Sequence, residues 1–426
     1  MNSSSMRALG ERPAAVALAG LLSLAVAMGV GRFAFTPLLP MMLADGVVTL
    51  AGGSWLATAN YAGYLIGALA CMALPWLAPR LYERWHPARL ARAGLVATVL
   101  LTLAMALPLP GSWPLLRFAA GVASAFVFLN ISSWCMVRLA ALGRPALGGM
   151  IFCGPGVGIA LTGLAASAMV ALHWRAAMGW AAFGLLSVLL CLRIWPVVQG
   201  RAAQAGHGAA AGAAPARAAA SGPAAPAAGH AGPPGGHVPG RALHAVGYGL
   251  AGFGYIITAT FLPVIARDAL PAGSPWPDLF WPLFGVAVAV GAASSTRAPG
   301  AWDRRWLLVA AYVAQASAIA LGLALPTAWG FALSSALLGL PFTAITFFGL
   351  QEARRIWPAS ADSFASLVTA TYGLGQIAGP PLVALLLARA GREAGFTQAL
   401  AIAAAALAAG AVMYAFSAWR WPLARR

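Results

Sequence analysis

The apolar run that begins after Pro13 and ends near Leu43 constrains this chain more than any other feature. As a helix it is roughly 45 Å long at 1.5 Å per residue, against the ~30 Å of hydrocarbon in a bilayer. It is too long for a signal-peptide core and reads as an uncleaved membrane span with a turn or two to spare. Similar runs recur at 51–75, 90–108, 113–140, 145–170 and 175–196. A second set follows at 242–266, 277–297, 303–325, 327–352, 361–389 and 393–419. Composition agrees: 61% of the residues are hydrophobic and 8% charged, where a soluble domain carries about a quarter. The sequence therefore predicts an all-α membrane protein of twelve transmembrane helices in two pseudo-symmetric six-helix bundles. The bundles are expected at 1–196 and 241–426. The Ala/Gly/Pro-rich stretch 197–240 cannot bury a core and is expected to be a disordered cytoplasmic linker.

Orientation follows from the arginines, which supply every basic residue. With the N-terminus in the cytoplasm, 20 of the 26 fall on the inner side and five, Arg117, Arg175, Arg267, Arg389 and Arg392, at outer loops or span edges. With the Ala and Gly excess the all-Arg basic set reads as the product of a GC-rich bacterial genome, and the asymmetry predicts both termini inside. It also accounts for the +17 net charge without nucleic acid. Arg32 is the exception, sitting a little past the middle of the first span. A guanidinium at that depth is costly in lipid and must face protein or a water-filled cavity.

The two halves repeat. Met28–Pro40 aligns with Ala251–Pro263 at an offset of 223, both carrying Gly-x-Gly and ending in Leu-Pro. Gly154-Pro155 in the fifth span matches Gly379-Pro380 in the eleventh at an offset of 225. Parallel repeats of six spans resemble the arrangement of transporters that bind substrate near the midplane between their halves.

Three blocks carry a family resemblance: Gly31-Arg32-Phe33-Ala34-Phe35-Thr36-Pro37-Leu38-Leu39-Pro40, Ala59-Asn60-Tyr61-Ala62-Gly63-Tyr64-Leu65-Ile66-Gly67 and Tyr372-Gly373-Leu374-Gly375-Gln376-Ile377-Ala378-Gly379-Pro380. With them the chain resembles the YbfB/YjiJ-like transporters of the major facilitator superfamily (MFS), over nearly its whole length except the linker. The resemblance implies the transporter fold and an inner-membrane location, and brings no substrate. Two superfamily signatures are degraded. The loop after the second span has Arg80, Glu83 and Arg84 but no Asp in the usual gating place, and Met150 and Ile159 replace two glycines of the antiporter motif around Gly154-Pro155.

Arg32 has two readings. It is either a structural arginine bonding carbonyls left free around Pro37 and Pro40, or the counter-ion of an anionic substrate. No Asp or Glu lies at comparable depth, which favours the second. Thr36 shares its span. Asn60, Tyr61 and Tyr64 lie on the second span, Asn130 and Trp134 on the fourth, Tyr372 and Gln376 on the eleventh. Such polar groups turn away from lipid, whether they bond neighbouring helices or contact substrate, and the sequence leaves that choice open. Arg138, near an inner span end, reads as a gate or topology charge. Gly154, Pro155, Gly379 and Pro380 read as packing or gating positions.

Cys71, Cys135, Cys153 and Cys191 lie in spans without metal-site spacing, and His207, His230 and His237 are scattered through the linker. There is no Walker A sequence, His-Glu-x-x-His, Gly-x-Ser-x-Gly or carboxylate pair within a span. The expected protein is a transporter rather than an enzyme, working without metal or cofactor. It moves a small organic solute through the lipid bilayer by alternating access, as a monomer. The rivals are a drug or sugar efflux pump in which Arg32 is structural, and a membrane receptor or scaffold that moves nothing.

Overall fold

A chain in hydrocarbon must satisfy its backbone within each segment, and this one does so with helices alone. The computed structural model describes residues 12–80, 85–198 and 238–423. Among them no strand occurs, and twelve helices are long and apolar enough to cross a membrane. In the first bundle these are α1 (Pro13–Ala44), α2 (Leu50–Leu74), α3 (Pro87–Ala104), α4 (Pro110–Ala141), α5 (Pro145–Ala171) and α6 (Ala176–Val198). In the second they are α7 (Val238–Ala269), α8 (Trp276–Ser295), α9 (Arg304–Ala324), α10 (Ala328–Ile356), α11 (Ser363–Ala390) and α12 (Arg392–Arg420). The twelve expected spans are all present.

Their ends shift where helix chemistry and apolarity disagree. α7 starts at Val238 and α10 runs on to Ile356, because arginine is a good helix former and a helix need not stop at the hydrocarbon boundary. α3 begins earlier than expected, on Pro87, a residue suited to a first helical turn, and stops at Ala104 ahead of Pro108. Residues 199–237 and 81–84 lie outside the described residues, and the place of Glu83 falls there; so does the expected linker except at its ends, where 197–198 belong to α6 and 238–240 to α7.

Side chains mark several helix starts. Thr49, Asp303 and Thr327 each accept a backbone N–H at the head of α2, α9 and α10. Burial would raise the Asp303 carboxyl, but hydrogen bonds from the Arg305 side chain and N–H hold it below the ordinary carboxylate range. Arg305 also donates to the carbonyls of Ser417 and Trp421, fixing the end of α12 against α9. Gly391, at φ +79°, makes the tight link between α11 and α12.

Glycines set the packing because they let backbones touch. A Cβ on Gly29 of α1 would sit 2.4 Å from Gly158 Cα of α5, and one on Gly252 of α7 2.1 Å from the Tyr372 carbonyl of α11. α1 thus packs on α5, and α7 on α11, as the repeat requires. A second pair of seams repeats equally well. Gly67 meets Val122 and Gly121 meets Asn60 between α2 and α4; Gly291 meets Leu340 and Gly339 meets Phe284 between α8 and α10. The second set is the first displaced by 224 residues in one helix and 218 in the other.

The halves meet along three seams: α5 against α8, α2 against α11, and the second half of α1 against α7. Outward, Leu18, Leu100, Leu115, Leu189 and Val412 are exposed, with Trp55, Trp329 and Trp419 near helix ends. This is the apolar belt with interfacial tryptophans that a bilayer selects.

Candidate substrate site between the bundles

The middle of α1 is not α-helical. Ala25–Phe33 forms a π-helix, in which each carbonyl looks to the N–H five residues on. For Arg32 that residue is Pro37, which has no N–H. Arg117 of α4 supplies the missing donor. Its Nη2 bonds the Arg32 carbonyl at 3.1 Å and its Nη1 the Gly31 carbonyl at 3.3 Å. Ser124 of the same helix bonds the Ala27 carbonyl at 2.7 Å. The carbonyl-bonding work near Pro37 therefore belongs to Arg117. That residue, near the start of α4, is 2% exposed.

The Arg32 side chain points the other way, across the interface. It is 3% exposed, and among the described residues it has no carboxylate partner. Nη2 donates to Gln376 Oε1 of α11 at 2.5 Å. Nε, on the same edge of the guanidinium, is buried with no acceptor. The Gln376 amide nitrogen in turn donates to the Tyr255 hydroxyl. Tyr255 occupies the position in α7 that the repeat pairs with Arg32, so one amide bridges two symmetry-related residues. Aromatic rings enclose the cation: Tyr64 at 4.2 Å, Tyr61 at 5.1 Å and Phe33 at 5.4 Å from centroid to guanidinium carbon.

Two more bonds cross here. The Thr36 hydroxyl donates to the Ala259 carbonyl at 3.0 Å, a bond between residues 223 apart, hence between repeat-equivalent positions. Such a bond lies beside the pseudo-two-fold axis. The Tyr61 hydroxyl meets Thr260 Oγ1 at 2.8 Å. Of the residues singled out from sequence, Arg32, Thr36, Tyr61, Tyr64 and Gln376 thus gather at one interface. Tyr372 joins them through its ring, stacked 5.9 Å from Tyr255.

The others lie elsewhere. Asn60 is fully buried in the α2–α4 seam; although it shares a face of α2 with Tyr64 one turn away, its amide donates to the Arg117 carbonyl at 2.8 Å. Asn130 donates to the Phe126 carbonyl of its own helix and to Cys71 Sγ. Trp134 packs inside the first bundle with Val16, Leu95 and Ile131. Arg138 is half-buried in the last turn of α4. Gly154 abuts the Leu21 carbonyl of α1, Gly379 abuts Ile256 of α7, and Pro155 and Pro380 are buried beside them. No group of three or more potential metal ligands occurs among the described residues. The linker histidines lie outside them.

Arg117 and Tyr255 were missed as site residues. Arg117 already fell inside the fourth apolar span, and Tyr255 was marked by its alignment with Arg32.

These features define a polytopic membrane transporter of the MFS fold. A family model described as "Uncharacterised MFS-type transporter YbfB" matches residues 24–415, and the chain belongs to that family. No curated protein matches it. Among solved structures, the crystal structure of a point mutant of the nucleoside transporter NupG superposes with a TM-score of 0.68 at 16% identity, covering 94% of this chain and 99% of that one. That likeness concerns the fold. The protein is thus a multi-pass membrane transporter of a small solute.

Proposed function

We propose that the protein carries an organic anion across the bacterial inner membrane by alternating access, with Arg32 as the anion's counter-ion. The observation that carries this reading is the half-filled edge of the guanidinium. Nε and Nη2 lie parallel and suit the two oxygens of a carboxylate, yet a neutral amide oxygen serves only Nη2. A carboxylate displacing the Gln376 oxygen satisfies both donors and neutralises a buried charge. The carbonyls of Gly31 and Arg32, ahead of Pro37, are served by Arg117, which supports the same reading.

The site straddles the halves, so rocking one bundle against the other opens it alternately to each side. The arginine asymmetry supports cytoplasmic termini, and a single chain holds every group the site uses. A neutral solute, suggested by the fold's likeness to a nucleoside transporter, leaves Nε unserved and the charge uncompensated.

The test is to measure membrane abundance beside solute uptake and export in vesicles from a deletion strain, for wild type, Arg32→Lys and Arg32→Gln. Arg32→Lys keeps the charge and loses the fork, at a cost of about 1.5–3 kcal/mol, so affinity falls roughly ten- to hundredfold. Arg32→Gln abolishes anion transport while abundance stays near normal. If both variants vanish from the membrane, or neither alters transport, Arg32 is not the anion site.

A further inference from the structure

Resting on that anion reading, we infer that the solute is an aromatic monocarboxylate, held by Arg32 through its carboxylate and by tyrosine faces through its ring. Donor counting limits the ligand first. Arg117 of α4, the other buried arginine near the site, spends its Nη donors on the Gly31 and Arg32 carbonyls, which leaves one free guanidinium edge to meet one carboxylate. A second carboxylate on the ligand would be buried without charged donors to bond it. An ammonium group fares no better, because no Asp or Glu among the described residues pairs with Arg32 or bonds Gln376. Dicarboxylates and amino acids are disfavoured together.

The shape of the surroundings limits it further. A hydrogen-bond chain links Arg32 through the Gln376 amide to the Tyr255 hydroxyl, and Tyr255 stacks with Tyr372. An acid whose carboxylate replaces the Gln376 oxygen has its carbon skeleton where that amide now stands, beside the two stacked rings. A carboxylate on an aromatic ring is coplanar with it, so the ring continues the plane of the guanidinium. Tyr64, lying over the guanidinium at 4.2 Å, borders that plane on one face. Phe342 meets Tyr255 edge-on at 4.9 Å and Phe33 edge-on at 6.3 Å, adding an aromatic wall to the same surroundings. A flat ring gains offset-stacked and edge contacts there that a puckered aliphatic ring of equal size does not.

The experiment is equilibrium binding of radiolabelled benzoate to the purified full chain in nanodiscs near neutral pH, with competition by cyclohexanecarboxylate, terephthalate, phenylalanine and benzyl alcohol. Benzoate is expected to bind, with cyclohexanecarboxylate about tenfold weaker and the other three weaker still. Arg32→Gln should remove binding. Tyr64→Leu, which keeps the arginine, should erase the preference for benzoate over cyclohexanecarboxylate. Gel-filtration profiles confirm that each variant is folded. Equal, Arg32-dependent binding of benzoate and cyclohexanecarboxylate overturns the aromatic inference and leaves the anion reading intact. Arg32-independent binding, benzyl alcohol competing as well as benzoate, or no acid binding at all overturns both.

Discussion

The seam of α5 with α8 and the seam of α2 with α11 join the same two bundles, and repeat symmetry makes them counterparts. They are built differently. Along α5 and α8 the backbones touch: a Cβ on Gly156 would lie 2.4 Å from Ala289 N, and one on Gly285 2.4 Å from Ala160 N. The contact runs the length of the helices, from Gly149 against Thr296 to the Ser167 hydroxyl donating to the Asp278 carbonyl at 2.7 Å. By the 224-residue offset, Tyr61 stands where the other seam has Gly285, and by the 225-residue offset Pro381 stands where it has Gly156. Side chains fill the α2–α11 seam, and Gln376 projects from it to Arg32. One seam has no slack, while the other is made of groups that can part and re-form. The pseudo-symmetry breaks at the place where the proposed site lies, which gives a two-fold scaffold one asymmetric cluster around Arg32.

The sharpest way to break this contrast is Gly156→Leu. The new side chain meets backbone atoms of α8 at 2.4 and 2.6 Å, and neither helix can yield without separating the bundles. The cost is at least the ~1–3 kcal/mol of overpacking in a packed core. The variant is expected to be nearly absent from the membrane and polydisperse on gel filtration. A monodisperse, transport-competent Gly156→Leu protein would show that the glycine seam tolerates opening.

On the other seam a comparably drastic change should spare folding. Gln376→Glu puts a carboxylate against the Nε–Nη2 edge of Arg32 and imitates the bound anion from within. The cation is already buried, so pairing it adds no further charge without a partner. Membrane abundance should stay at the wild-type level while anion transport falls about a hundredfold, as the internal pair competes for the fork. Unchanged transport in this variant would place the solute away from Arg32.

How far the sequence speaks depends on which constraint acts. The bilayer demands long apolar segments, so the twelve spans and the pairing of α1 with α5 are legible from apolarity and spacing. Arg32 was legible for the same reason, as a charge that lipid will not accept. Its partner was legible only as a polar stripe, since nothing local says that Gln376 turns toward Arg32. Asn60 carries the same kind of signal as Tyr64 one turn away, yet it bonds the α4 backbone. Both solutions hide a polar group from lipid, and the choice is made by the neighbouring helix. The π-helix was not legible at all, and with it the task of Arg117, because the register of one helix decides which carbonyls need a donor.

The smallest expected effect completes the comparison, and it uses matched substitutions. Gly373→Ala on the α2–α11 seam brings a Cβ to 3.0 Å from Leu65 Cδ1, the free end of a side chain that can move by a few tenths of an ångström. Alanine also favours the helix over glycine by about 1 kcal/mol, so the two terms nearly cancel. Thermal unfolding in detergent should be displaced little, in either direction. Gly285→Ala on the α5–α8 seam gains the same propensity but sets its Cβ 2.4 Å from Ala160 N and 2.8 Å from the Gly156 carbonyl, backbone atoms that have nowhere to go. It should lower the transition clearly, by a few degrees or more. Equal shifts for the two alanines would mean that both seams have the same slack, and the distinction between a backbone seam and a side-chain seam would fall.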